Sequence, residues 1–172
     1  VCNSAWAATA EGGATVVTDG EHTAWFDRHG STPITDIPDR LPADYAFRDI
    51  AEHAAFWSAR EVPASWKKFK DIASHWLAMG VDGFRYDMAE MVPVEFWSYL
   101  NSSIKTLNPD AFLIAEVYNP AEYRNYIRLG RMDALYDKVD FYDELKRVMQ
   151  GKAGTAKLAE IQQRYTDIDS HL

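Results

Sequence analysis

Apolar and polar positions change their rhythm near residue 63. Before it, apolar residues follow no lasting period, and Thr, Gly, Asp and Pro are frequent. Within this stretch "ATVVTDGEHTAWF" predicts a hairpin, with arms at 15–18 and 21–26 and Asp19-Gly20 as its turn. "STPITDIPDRLP" predicts a proline-punctuated loop, and "FRDIAEHAAFWSA" (47–59) a short helix. After residue 63 apolar positions recur at helical spacing. In "PASWKKFKDIASHWLAMG" the stripe is Trp66, Phe69, Ile72, Ala73, Trp76 and Leu77, with Ser65 expected as cap and Gly80 as stop. "PVEFWSYLNSSIKTLN" repeats the pattern through Phe96, Trp97, Leu100, Ile104 and Leu107. "PAEYRNYIRLG" predicts a helix opened by Pro120 and closed by Gly130, and further helices are expected over 141–150 and 155–166.

Between these helices lie short apolar segments with a different period. "VDGFRYD", "AFLIAEV" (111–117) and "MDALYDKV" read as strands, the second so continuously apolar that cover on both faces is expected. Alternation of helix and strand predicts a parallel sheet. The chain has no G-x-G-x-x-G turn and no G-x-x-x-x-G-K-[ST] loop, which argues against dinucleotide and P-loop sites. An acid recurs instead at the C-terminal ends of successive strands: Asp87, Glu116 and, less clearly, Asp137. That is where a (β/α)8 barrel builds its site. The expected fold class is α/β: part of a (β/α)8 barrel over residues 63–172, preceded by a loop- and hairpin-rich lobe over residues 1–62.

Strand alternation puts Arg85 and Asp87 on one face of "GFRYD", with Phe84 and Tyr86 on the other. Phe112, Ile114 and Glu116 likewise share a face, so Glu116 is expected on the side of Asp87. Adjacent parallel strands run roughly 4.8 Å apart. Two carboxyls at their tips can therefore approach about 5–5.5 Å, the spacing of retaining glycosidases. Arg85 beside Asp87 favours the ionised form, suited to a nucleophile. The apolar setting "LIAEV" is expected to keep Glu116 protonated, suited to a general acid. An Asp/Arg pair can equally be a plain ion pair at a strand end, so spacing alone leaves both readings open.

Composition narrows the partners. A net charge of −8 without a Lys/Arg-rich stripe argues against nucleic acid. No stretch has the length of a membrane span. Aromatic residues make up 13%, including six tryptophans; most are expected in the core, while Trp6 and Trp25 are candidates for stacking on sugar rings. One cysteine, Cys2, excludes an internal disulfide, and His22, His29 and His75 lack ligand-spaced partners, so no metal site is expected. The chain lacks an initiating methionine and a basic leader, and reads as cut from something longer.

"GVDGFRYDMAEMVP" resembles the second motif of the α-amylase family of glycoside hydrolases, and "FLIAEVYNP" resembles the third. "ALYDKVDFYDELKRVM" is similar to that family's sixth strand and helix. The resemblance covers residues 63–172 and implies Asp87 as nucleophile, Arg85 as its orienting partner and Glu116 as general acid/base. It implies retaining cleavage of starch-like α-glucans; Tyr118 and Asn119, just past Glu116, are substrate-binding candidates by position, and Glu90 and Met91 by their place in the second motif. Transfer to another glucan, or non-catalytic binding of a glucan or partner, stand as alternatives. Glu90 and Met91 occupy positions that many members fill with Lys-His, which puts that subsite and a calcium ion, otherwise implied for the full-length protein, in doubt. The family's first and fourth motifs do not occur in these 172 residues, so the segment alone is expected to be inactive; Asp167 and Asp169 are expected to be surface or cap residues. A secreted or periplasmic location is favoured over a cytoplasmic one.

Overall fold

The computed structural model describes residues 37–166 and residue 168. The hairpin expected at 15–26, together with Cys2, Trp6, Trp25, His22, His29, Asp167 and Asp169, lies outside the described residues. The first described α-helix, α1 (Ile50–Ser58), starts where "RDIAEH" supplies both halves of a capping box. The Asp49 carboxylate accepts from Glu52 N–H at 2.8 Å, and Glu52 accepts from Asp49 N–H at 3.0 Å. Helix α2 (Ala64–Ala78) is not capped by Ser65 as expected. The Trp66 and Lys67 N–H groups both close on the Pro63 carbonyl, so Ser65 already lies in the first turn. Its backbone is committed to the helix, and its buried hydroxyl has no partner. At the other end Gly80 takes φ +90°. Gly80 N–H bonds to the Leu77 carbonyl and Val81 N–H to that of Trp76, the left-handed stop anticipated for this glycine.

Helix α3 (Val94–Leu107) has more buried residues than any other described helix. Phe96, Trp97, Leu100 and Ile104 are buried as their spacing requires, whereas Leu107 stands exposed in the last turn. Helix α2 presses Trp66, Phe69, Ala73 and Leu77 into the core; Ile72 and Trp76 fall outside the contact and are exposed. The expected stripe is wider than the face that α2 turns towards the core. Aromatic rings form a continuous line from α1 into the sheet. Centroid separations are 4.8 Å for Phe56–Trp57, 5.6 Å for Trp57–Trp66, 5.5 Å for Trp66–Phe96, 4.9 Å for Phe96–Trp97 and 4.5 Å for Trp97–Tyr86. The described part of residues 1–62 thus shares one core with the helices and strands after residue 63.

Three parallel strands, β1 (Gly83–Tyr86), β2 (Phe112–Glu116) and β3 (Ala134–Tyr136), lie in the order β1-β2-β3. Their connections hold α3 and a short helix α4 (Tyr123–Arg128), and α5 (Asp143–Met149) and α6 (Ala156–Tyr165) come after β3. Gly83 pairs with Phe112, and a Cβ there would lie 1.9 Å from the Phe112 carbonyl oxygen. The glycine is needed for close strand approach. Leu113, Ala115 and Val117 are fully buried. Cover on both faces is not found among the described residues: Phe112 is 52% and Tyr136 43% exposed. The helices of the core pack on the Leu113 side, and the face carrying Phe112, Ile114 and Glu116 stays open.

One polar group sits deep in this core. His53 is fully buried, with Nε2 at 2.8 Å from the Tyr45 carbonyl and Nδ1 at 2.7 Å from Ser98 Oγ. The carbonyl can only accept, so Nε2 carries the proton. Trp57 Nε1 donates to the same Ser98 oxygen at 2.8 Å, leaving the serine proton for His53 Nδ1. A neutral ring satisfies every group, and burial is the main cause that lowers the pKa of His53. The folded state therefore resists a proton that the unfolded chain accepts near pH 6.5. Stability should fall as pH drops below about 6.5, by up to about 1.4 kcal/mol per unit for this one group. Urea midpoints at pH 7 and pH 5 should diverge less for His53→Gln, whatever its lower baseline. Equal pH dependence in both proteins would remove His53 from the account.

Candidate active site

Tyr86, the last residue of β1, fixes which way its neighbours point. Its ring is packed on Trp97, and its hydroxyl donates to Asn101 Oδ1 at 2.8 Å. Asn101 is itself held, donating to the Gly130 carbonyl at 2.8 Å. Burial pushes the Tyr86 phenol far above its ordinary pKa, so it stays a neutral donor. With Tyr86 turned inward, alternation sends Arg85 and Asp87 to the open face, where their side chains are 44% and 74% exposed.

The sheet register pairs Tyr86 with Ala115, so the next step sets Asp87 beside Glu116 at the C-terminal rim. One guanidinium joins them. Arg85 Nη1 pairs with Asp87 Oδ1, and Nη2 lies 3.2 Å from Glu116 Oε2. The Asp87 carboxyl is held below the usual carboxylate range, first by its hydrogen bond with Arg85 and next by one with Glu116. Arg85, Asp87 and Glu116 are thus brought together.

The apolar setting expected for Glu116 is not found. Ala115 and Val117 face the core, and the same alternation turns Glu116 towards donors. Tyr118 hydroxyl donates to Oε1 at 2.5 Å; Met88 N–H and Arg85 both reach Oε2, the former at 3.1 Å. Met88 holds φ +50°, a left-handed backbone rare for its residue type, and this conformation goes with the N–H that it offers Glu116.

The substrate-binding candidates divide. Tyr118 touches Glu116 directly, and that contact is the first cause raising its phenol pKa. Glu90 Oε2 instead accepts from Tyr118 N–H at 2.8 Å and Asn119 N–H at 3.0 Å. The Asn119 side chain caps a 3-10 turn (Pro120–Glu122) through Ala121 N–H, and Met91 stands 67% exposed. Asp137 is occupied as a cap, accepting from Asp140 and Phe141 N–H groups and from the Tyr123 hydroxyl. Tyr136 was not singled out from sequence, yet its ring centroid lies 5.4 Å from the Arg85 guanidinium carbon. It pairs with Glu116 in the β2–β3 register, a placement that strand alignment could have supplied. Among the described residues no group of three or more His, Cys, Asp or Glu converges as a metal ion would require, and no helix is long and apolar enough to cross a membrane.

Removing the guanidinium should release Asp87. In Arg85→Ala the Asp87 carboxyl should titrate higher, moving towards the ordinary value of about 3.9. Carbon-13 carboxyl NMR across the acid range reads this directly. An unchanged titration would mean that Arg85 does not set the charge of Asp87.

No family model matches the chain, and no solved structure matches it. Curated relatives do. Neopullulanase 2 of Thermoactinomyces vulgaris is 39% identical over 51 residues, 30% of this chain and 9% of the relative. Alpha-amylase 3 of Dictyoglomus thermophilum is 34% identical over 102 residues, 51% of this chain and 20% of the relative. An alpha-1,4-glucan:maltose-1-phosphate maltosyltransferase of Burkholderia pseudomallei is 25% identical over 142 residues, 77% of this chain and 12% of the relative. The chain therefore spans between 9% and 20% of the length of these relatives. They are members of one family, and the motifs around Asp87 and Glu116 are those by which the chain resembles it. The chain is thus similar, over part of its length, to members of the α-amylase family of glycoside hydrolases.

Proposed function

We propose that the full-length protein is a retaining α-glucan-active enzyme, in which this chain forms part of a (β/α)8 barrel with Asp87 as nucleophile and Glu116 as general acid/base. The observation that carries this reading is the rim arrangement: carboxyls on adjacent parallel strands that share the Arg85 guanidinium. Asp87 Oδ1 and Glu116 Oε2 both lie within reach of that one planar group. Such proximity suits the double-displacement spacing of about 5–5.5 Å better than the roughly 6.5–9.5 Å that leaves room for an inverting water.

In the first step an Asp87 oxygen attacks the anomeric carbon while Glu116 gives its proton to the departing glycosidic oxygen. In the second, a water gives a proton to Glu116 and attacks the anomeric carbon, breaking its bond to Asp87 and releasing the carboxylate. Arg85 holds Asp87 ionised and aimed, at the cost of occupying its Oδ1.

Transfer is a second reading, favoured by the maltosyltransferases among the relatives. A sugar hydroxyl then replaces water in the second step, and every residue keeps its part. Product analysis separates the two: free reducing ends that track bond cleavage mean hydrolysis, whereas lengthened glucans without them mean transfer. Under either reading Asp87→Asn and Glu116→Gln should each lower turnover of α-glucan by about 100-fold or more with the fold intact. A variant within about tenfold of the wild type, equivalent to roughly 1.4 kcal/mol of barrier, would strip that residue of its role.

A further inference from the structure

We infer that Glu90 is a positioning residue that acts on Glu116 through Tyr118, and is not a sugar contact. The inference rests on the proposed role of Glu116 as acid/base.

Segment 88–91 reaches β2 at its exit in two places. Met88 N–H bonds to Glu116 Oε2 at 3.1 Å. Two residues on, one carboxylate oxygen of Glu90 takes both N–H groups at the point where the chain leaves β2, Tyr118 at 2.8 Å and Asn119 at 3.0 Å. Between those amides and the acid stands a single side chain, Tyr118, whose hydroxyl meets Glu116 Oε1 at 2.5 Å. Both oxygens of Glu116 are thus governed from the same short segment, one directly and one by way of Glu90 and Tyr118.

Glu90 is well placed for this because its own backbone is tied down. Tyr126, on α4, donates its hydroxyl to the carbonyls of Glu90 and Val92, each at 3.0 Å. The neighbouring Ala89 carbonyl accepts from Trp97 Nε1 at 2.9 Å, and Ala89 is fully buried. A carboxylate on a fixed turn that accepts two adjacent N–H groups sets the direction of the backbone it holds. With Glu90 shortened, Tyr118 N–H and Asn119 N–H lose their acceptor, and the phenol is free to leave Glu116. A glucan hydroxyl approaching Glu90 Oε2 would have to compete with those two amides.

The test uses the full-length protein and reads Tyr118 before it reads turnover. Carbon-13 tyrosine NMR, with the Tyr118 signal assigned through Tyr118→Phe, tracks the phenol titration. Its pKa is raised by Glu116. Glu90→Ala should bring the titration down towards the ordinary value of about 10. Glu90→Gln keeps an oxygen that can accept both N–H groups, so it should leave the Tyr118 signal nearly unchanged. On α-glucan, Glu90→Ala should lower kcat by about 10- to 100-fold, the scale of a small misplacement of a reacting group, with little change in KM. Glu90→Gln should stay within about threefold, and combining Glu90→Ala with Tyr118→Phe should cost little more than the worse single change.

An unmoved Tyr118 titration in Glu90→Ala would overturn the inference whatever the kinetics. So would a raised KM with kcat preserved, since that is the signature of a substrate contact. Fully additive losses in the double variant would mean that Glu90 does not act through Tyr118. Glu116→Gln serves as the separate control: if it keeps its turnover, the role of Glu116 fails while the NMR still decides what Glu90 holds.

Discussion

The burial of Tyr86 is the constraint on which the site depends. Its ring closes the aromatic line that begins in α1, and its hydroxyl is fastened to Asn101. A strand offers two directions only, so fixing Tyr86 inward fixes Arg85 and Asp87 outward. Gly83 does the complementary work three residues earlier. It lets β1 approach β2 closely enough to hold the register that brings the Asp87 and Glu116 positions side by side. The geometry at the rim is a consequence of packing on the opposite face of the same strand. Slipping β1 by one residue would bury the guanidinium and expose the rings, which the core would resist strongly.

Electrostatics then differentiates the two carboxyls. Asp87 is largely exposed and is held in its charged form by the nearest cation. Glu116 is more sheltered, with 17% side-chain exposure, and donors reach it from β1, from the left-handed turn at Met88 and from its own strand exit. The two carboxyls differ in exposure and in which groups each can reach. Burial in an apolar pocket plays no part among the described residues. Tyr136 adds an aromatic face to Arg85 from the third strand, so all three strands contribute at their C-terminal ends.

Much of this was legible in the sequence because it depends on period. Helical spacing in 64–78 and 94–107 and alternation in 83–87 and 112–116 depend on nearest neighbours along the chain, and the elements form where those patterns say. What failed was knowledge of which side a partner would cover. Ile72, Trp76 and Leu107 fit a helical stripe yet lie beyond the contact, and Ser65 fits a cap yet sits within the helix. The supporting parts of the site were hidden for a different reason. Glu90 finds its partners 28 and 29 residues away, and Met88 finds Glu116 at 28. Nothing about a methionine advertises a left-handed turn, and nothing about a glutamate says whether it will meet a sugar or a pair of amides.

As the proposed nucleophile, Asp87 must form a covalent bond to the sugar. A fluorinated α-glucosyl fluoride, whose deficient ring slows the second step more than the first, should accumulate that ester on the full-length protein. Peptide mass spectrometry after acid quench should then find one added glycosyl mass on the segment containing Asp87, and none in Asp87→Asn. A label on Glu116 or elsewhere, or turnover of the reagent with no label at all, would contradict the account.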